Sequence, residues 1–323
     1  MRTRLILIHG SRSRKVGAML AAALLSAAVA ACGDAAPGGD ETVGPAIVVS
    51  NSILADLTRQ VTGDGAEVEV LMALGQDPHD FAPSAAQASA LGSADLVIAF
   101  GLGLEAGMDG ILQGVADGGR LLEVGPSVNP LPFGGDGDRE VDDRGAFDPH
   151  VWFDPLRMAQ AVELIGDRLA AVDPERAEAW VAAAELAAAD LTALDQELAG
   201  VLEGIPPERR LLVTNHDVLG YFAARYYFEV VGVIVPGGST LAEPSPADLA
   251  DLVDAIVGTG VTAIFAETTQ PIRLAEVVAA EVGRPVAVVE LFTESLGEEG
   301  SGAETYANMM RLDAERIAEA LGG

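Results

Sequence analysis

The feature that most constrains the fold is an alternation of short apolar runs with helical stretches, which occurs twice along the chain. Each half contains four apolar runs with strand-like composition, and helical stretches separate them. Short apolar strands that alternate with amphipathic helices are typical of parallel α/β sheets. The predicted strands are 46–49, 68–72, 96–100 and 120–124 in the first half and 210–214, 230–235, 263–266 and 286–291 in the second. The predicted helices lie near 52–62, 83–92, 104–116, 217–226, 246–258, 271–282 and 303–321.

A long helical segment separates the two halves. After a first helix over 155–171, an Ala- and Leu-rich stretch runs over 174–203, with Asp173 as the expected N-cap and Pro174 in the first turn. Such a helix is about 45 Å long, which is enough to join two lobes and keep them apart. The alternative is one continuous α/β domain. The predicted boundaries are 46–173 for the N-terminal lobe, 174–204 for the linking helix and 205–323 for the C-terminal lobe.

Residues 1–31 have the pattern of a secretory signal peptide. A basic start precedes an apolar run over 16–31, and no acidic residue occurs before Asp34. The run is short for a membrane-spanning helix. It ends at Cys32 in a pattern that resembles a bacterial lipobox, so we expect a lipid on that thiol, with a plain signal peptide as the alternative. The Gly- and Pro-containing stretch 32–45 is then a flexible tether, and the body is extracytoplasmic or periplasmic.

Charge and composition exclude several classes of protein. The chain carries 19 Lys and Arg against 49 Asp and Glu, a net charge of −30, so it lacks the basic surface that nucleic acid binding requires. The single Cys excludes an internal disulfide framework and a Cys-rich zinc site. An aromatic content of 5% disfavours a sugar or peptide receptor, whose cleft is usually lined with rings.

Three histidines remain after the signal sequence. His79 and His216 each follow a predicted strand, and His150 ends a long acidic loop. Ligands of open α/β sheets bind beyond the carboxyl ends of the strands, so a shared metal site is one interpretation and three solvated loop residues are the other. Asp77 and Asp148 stand two residues before His79 and His150. They either hydrogen-bond the far ring nitrogens or only shape turns.

Eight short motifs occur in order along the mature chain. They are GQDPH at 75–79, SAD at 93–95, GLGLE at 101–105, DPHVWFDP at 148–155, NHD at 215–217, GYF at 220–222, EPS at 243–245 and YANMM at 306–310. In this order they resemble the motifs of the cluster A-I (TroA-like) solute-binding proteins, the metal-binding lipoproteins that serve zinc and manganese ABC importers. The resemblance covers the chain from about residue 46 to its end.

This resemblance implies an architecture and a ligand set. The family has two (β/α)4 lobes, each with a mostly parallel four-stranded sheet, joined by a long rigid helix, with one metal ion between the lobes. The first three ligands match His79, His150 and His216. The fourth matches Glu294, where an Asp is more usual in the family. Glu267, at the end of a predicted strand, is the competing carboxylate.

The expected donor set favours zinc. Three imidazoles and one carboxylate suit tetrahedral Zn²⁺, whereas Mn²⁺ prefers more oxygen ligands. Manganese members of the family tend to carry a carboxylate at the position of His216. We therefore expect Zn²⁺, with Mn²⁺ as the alternative. The acidic loop 134–147 contains no His; it either concentrates cations or is simply solvated.

The resulting prediction is a binding protein rather than an enzyme. It would be a monomer, anchored by a lipid on Cys32, that captures one ion and delivers it to an ABC permease driven by a cytoplasmic ATPase. The alternatives are a zinc hydrolase, against which the lack of a His-Glu-x-x-His motif counts, and an adhesin or sensor of the same fold. A rigid linking helix also predicts limited hinge closure, so that release requires a local change at one ligand loop.

Overall fold

The computed structural model describes residues 44–133 and 147–322. Cys32, the predicted signal sequence and nearly all of the acidic loop lie outside these residues. The first half of the chain contains the following elements: β1 (Ala46–Val49), α1 (Ser52–Thr62), β2 (Glu67–Val70), α2 (Ala85–Ser93), β3 (Leu96–Ala99), α3 (Asp109–Asp117) and β4 (Leu121–Glu123). Its four strands form the first sheet. All neighbouring strands are parallel, in the order β2-β1-β3-β4.

The second half repeats this arrangement after two long helices. Its elements are α4 (Pro155–Val172), α5 (Ala177–Leu202), β5 (Leu211–Thr214), α6 (Gly220–Tyr226), β6 (Glu229–Val233), α7 (Pro246–Thr259), β7 (Ala263–Glu267), α8 (Arg273–Glu281), β8 (Ala287–Leu291) and α9 (Tyr306–Gly322). The strand order is β6-β5-β7-β8, again with parallel pairs. The predicted fold class is confirmed, and every predicted strand lies within two residues of its observed ends.

Burial along the strands follows their position in the sheet. All four residues of the central strand β3 are buried, as expected where helices cover both faces. The edge strand β2 instead alternates, with Glu67 and Glu69 exposed between partly buried valines. Side-chain caps fix several helix starts: Asn51 accepts a hydrogen bond from the Leu54 amide at 3.0 Å, and Ser245 begins α7 in a capping box.

The linking helix begins later than the sequence predicts. Residues Pro174–Arg176 form a 3₁₀ turn, and the 26-residue helix α5 starts at Ala177, so it is about 39 Å long. Asp173 stands at the N-cap position of this turn, as predicted, but its side chain makes no capping hydrogen bond. The Asp173 carboxylate accepts hydrogen bonds from Arg176 Nε at 2.5 Å and from Trp180 Nε1 at 3.2 Å, and it caps no backbone amide of the turn. Two side-chain donors therefore compete successfully for the oxygens that a cap would use.

The linking helix joins the two halves through a common core. It packs against α1, α4 and α9. One cluster of buried residues contains Ile98 of the first sheet, Leu194 of α5 and Phe265 of the second sheet. The helix therefore does not hold two independent cores apart, because apolar contacts continue from one sheet to the other. No helix within the described ranges is both long and apolar enough to cross a membrane.

Candidate metal centre

The four predicted ligands each follow the carboxyl end of a strand. His79 lies in the loop after β2, His150 at the end of the connection after β4, His216 two residues after β5 and Glu294 three residues after β8. Parallel strands present these ends at one edge of each sheet, which is where α/β sheets bind ligands. All four side chains are buried: His79 is 5% exposed and the other three are at most 1% exposed.

Their ligating atoms converge on a single point. The Nε2 atom of His150 lies 3.3 Å from Nε2 of His79 and 3.2 Å from Nε2 of His216. Glu294 Oε1 lies 3.3, 3.4 and 3.8 Å from the Nε2 atoms of His216, His150 and His79 respectively. These five distances average about 3.4 Å, and the centre of a regular tetrahedron with that edge lies about 2.1 Å from its corners, close to the length of Zn–N and Zn–O bonds. The four residues can therefore hold a metal ion.

The Glu294 carboxylate lacks the partners that a buried anion needs. Both of its oxygens are buried, and neither accepts a hydrogen bond from any group in the described chain. The nearest imidazole nitrogens, Nε2 of His216 and of His150, lie 3.3 and 3.4 Å from Oε1. A buried carboxylate without donors is strongly unfavourable unless a cation compensates it. Its position among three Nε2 atoms suits a cation shared by all four groups.

Two carboxylates orient the histidine rings from behind. Asp148 Oδ1 lies 2.6 Å from Nδ1 of His150, and Glu267 Oε1 lies 2.7 Å from Nδ1 of His216. A proton on each Nδ1 is donated to the carboxylate, which leaves the Nε2 lone pair free for a metal ion. The hypothesis that Asp148 contacts its histidine ring is therefore confirmed. Glu267 faces the far side of His216 from the cluster, so the geometry favours Glu294 as the fourth ligand.

Asp77 shares one role with Asp148, whose Oδ1 also accepts a hydrogen bond from the backbone nitrogen of its histidine, at 2.9 Å. Its Oδ1 accepts a hydrogen bond from the backbone nitrogen of His79 at 2.8 Å, which is the turn-forming interpretation. Its Oδ2 accepts hydrogen bonds from Thr240 and Gln270, which both belong to the second half of the chain. Sequence spacing did not indicate these two partners, because they are 163 and 193 residues away.

The carboxylates determine the charge of the metal-free histidines. Burial alone lowers the pKa of His150, but Asp148 and Glu294 outweigh it and raise that pKa to about 9. At His216, Glu267 and Glu294 likewise outweigh burial and hold the pKa well above its ordinary value. A metal ion that binds near neutral pH must therefore displace protons from both rings.

The pKa values of the other two candidate ligands, His79 and Glu294, are lowered. Burial lowers the pKa of His79 to about 3, so this ring is neutral and ready to bind a metal ion. Burial alone raises the pKa of Glu294, but His150 and His216 outweigh it and hold that pKa far below its ordinary range. These two rings therefore favour the anionic form of the carboxylate.

Sequence reasoning missed the groups that tie the ligand loops together. Trp152 Nε1 donates to the carbonyl oxygen of Thr293 at 2.7 Å, which joins the His150 segment to the Glu294 loop. The Tyr306 hydroxyl donates to the carbonyl oxygen of Trp152 at 2.6 Å. Gly220 is required by close approach, since a Cβ there would lie 2.7 Å from Asp148 Oδ2. Trp152, Gly220 and Tyr306 lie in the motifs 148–155, 220–222 and 306–310, so these motifs were the sequence feature that could have indicated them.

Two parallel four-stranded sheets with a buried cluster of three histidines and one carboxylate at their strand ends define a class of protein. This class is the metal-binding solute-binding proteins, which present an ion to a transporter. Residues 47–320 match the family described as ZnuA, zinc-uptake complex component A, periplasmic. The chain belongs to this family, the substrate-binding components of metal ABC importers, and the resemblance predicted from its motifs is confirmed.

Individual relatives extend the comparison. The manganese-binding lipoprotein MntA of Halalkalibacterium halodurans is 31% identical over 293 residues, which cover 90% of this chain and 94% of the relative. The zinc-binding protein TroA of Treponema pallidum is 30% identical over 316 residues, covering 96% and 99%. The solved structure of that periplasmic zinc-binding protein superimposes with a TM-score of 0.77 at 29% identity, covering 86% of this chain and 99% of the other.

Proposed function

We propose that this protein captures one Zn²⁺ ion between its two lobes and delivers it to an ABC importer. The observation that carries the proposal is the convergence of three Nε2 atoms and one carboxylate oxygen within 4.8 Å of one another, five of the six pairs being 3.2–3.8 Å apart, with both Glu294 oxygens buried. The proposed ligands are His79, His150, His216 and Glu294.

Donor chemistry supports zinc over manganese. Relatives of similar identity are named for each metal, so their names favour neither. Three nitrogens and one oxygen at tetrahedral spacing suit Zn²⁺, which also binds nitrogen donors more tightly than Mn²⁺ does. Mn²⁺ remains the alternative cargo, and it requires additional oxygen ligands to complete its preferred coordination.

A closed ligand set supports transport rather than catalysis. A catalytic zinc site keeps one position open for water, usually with three protein ligands. Here four protein donors surround the point, and all are buried. The zinc hydrolase alternative therefore lacks the open position that it needs.

The proposal includes the protein's location and organisation. Residues 1–31 would be removed, and a lipid on Cys32 with the tether 32–45 would hold a monomeric body at the outer face of the cell membrane or in the periplasm. The lobes would be 46–173 and 205–323, with 174–204 as the linking helix. The permease of the importer and its cytoplasmic ATPase are the partners.

A competition experiment tests the choice of metal. The protein from residue 33 onward is stripped of metal, equilibrated with buffered Zn²⁺ and Mn²⁺ together and desalted, and bound metal is counted by elemental analysis. We expect about one zinc per chain and little manganese. The His216→Ala variant should lose this zinc, while the exposed-site control Glu298→Gln should keep it. Mostly manganese would refute the zinc assignment, and no bound metal would refute the function.

A further inference from the structure

The loop that carries His79 is tied to the opposite half of the protein at two points. Asp77 Oδ2 accepts hydrogen bonds from Thr240 Oγ1 and, at 2.7 Å, from Gln270 Nε2. The backbone nitrogen of Gly75 donates to Ser295 Oγ at 2.9 Å. Thr240 follows β6, Gln270 follows β7 and Ser295 follows β8, whereas the loop itself connects β2 to α2. These bonds therefore join the first sheet's ligand loop to three loops of the second sheet.

The Asp77 carboxylate links this contact to the ligand itself. Its two oxygens accept different hydrogen bonds. Oδ1 accepts one from the backbone nitrogen of His79, and Oδ2 accepts two from side chains of the second half. Asp77 is only 7% exposed, so its charge depends on these donors rather than on water. We call Asp77, Thr240 and Gln270 the latch.

His79 is the ligand that this arrangement leaves most able to move. The rings of His150 and His216 are each held at Nδ1 by a carboxylate, and both rings are fully buried. His79 is the most exposed of the four ligands and is positioned by the backbone bond to Asp77. A displacement of its loop would remove one ligand and open the cluster, while His150 and His216 stay held by Asp148 and Glu267.

We propose that the latch holds His79 on the metal ion and that its opening is the step that releases the ion. This inference rests on the proposed function. Asp77 is a positioning residue, since it acts through His79 and touches no metal. The common core around α5 resists separation of the two halves, so movement of this one loop is the less costly route for an ion to leave.

The Thr240→Val, Gln270→Met double variant tests the latch. Both replacements approximate the original shapes and remove only the donors to Asp77 Oδ2. Zinc-loaded protein is mixed with a chromogenic chelator in a stopped-flow instrument, and the release rate is measured. Loss of two hydrogen bonds to a charged group, at about tenfold or more for each, should speed release by at least about 100-fold, with one zinc still bound per chain. The Ser239→Ala variant, in the same loop as Thr240, is the matched control and should release zinc at the wild-type rate.

Two further readouts separate the latch from a purely structural role. The Thr240→Ser variant of the wild-type chain keeps the hydroxyl donor and should release zinc as slowly as the wild type. Amide hydrogen exchange of the peptide covering 71–84 should accelerate in the metal-free double variant and stay unchanged in Ser239→Ala. If the double variant does not fold, Thr240→Val and Gln270→Met are measured singly, and each should speed release by a smaller factor.

The outcomes distinguish the latch from the function on which it rests. A wild-type protein that takes up no metal overturns the proposed function together with the latch. A wild-type protein that loads one zinc, with latch variants that release it at the same rate, overturns the latch alone. A loss of thermal stability without faster release or faster exchange also overturns it.

Discussion

Replacing the carboxylates around the cluster separates a metal ligand from a residue that only orients one. Glu294→Gln removes the anionic oxygen that lies 3.3–3.8 Å from the three Nε2 atoms. Glu267→Gln keeps an oxygen that can accept from Nδ1 of His216 but removes its charge. Both changes preserve size, so neither leaves a cavity in this buried region.

The expected magnitudes differ by roughly an order of magnitude. Structural zinc sites with four ligands bind with about 10–16 kcal/mol, or about 2.5–4 kcal/mol for each ligand. Glu294→Gln should therefore weaken zinc affinity by about 100- to 1000-fold. A residue that orients a ligand is worth about 10- to 100-fold, which is the expectation for Glu267→Gln. The exposed-site variant Glu298→Gln should have no effect.

The assay is a competition for Zn²⁺ against a chelating indicator at constant pH and ionic strength. Each variant is first checked for a native circular dichroism spectrum, so that a loss of affinity is not a loss of fold. If Glu267→Gln weakens binding more than Glu294→Gln does, the assignment of the fourth ligand is wrong. Equal affinities for Glu294→Gln and wild type would show that no carboxylate of this loop binds the ion.

Two further predictions concern protons and packing. Because the pKa of His150 is about 9 in the metal-free protein, above its unfolded value, its protonation stabilises the fold fully below about pH 6.5, and this contribution is lost as pH rises through 9. Calorimetry across pH 6.5–9 should thus show a falling Tm without metal and a Zn²⁺-induced rise in Tm that grows with pH; a rise independent of pH would contradict the assignment. Trp152→Phe removes the donor to Thr293 and should cost about 1–3 kcal/mol in urea unfolding, since that carbonyl loses a buried partner; an unchanged unfolding midpoint would refute this.

Much of the architecture could be predicted from local sequence. The strands are short and mostly apolar, and α1, α2, α4 and α7 each begin at a side-chain cap, so local pattern and local structure agree there. The exception at Asp173 shows where this fails. Capping propensity favours the residue as an N-cap, but Arg176 and Trp180 offer its carboxylate stronger local partners. A pattern of residue types cannot rank such competing donors.

The sequence by itself determined the class of fold, the strand ends at which ligands lie and the residues with metal-binding chemistry. Only the tertiary structure decided the role of each carboxylate. Glu294 faces three Nε2 atoms, Glu267 contacts Nδ1 of His216, and Asp77 joins the His79 loop to the second half. The physical reason is that strand and helix patterns arise from neighbours within a few residues. The roles of these carboxylates depend on partners tens to hundreds of residues away, which only the packing of the two sheets brings together.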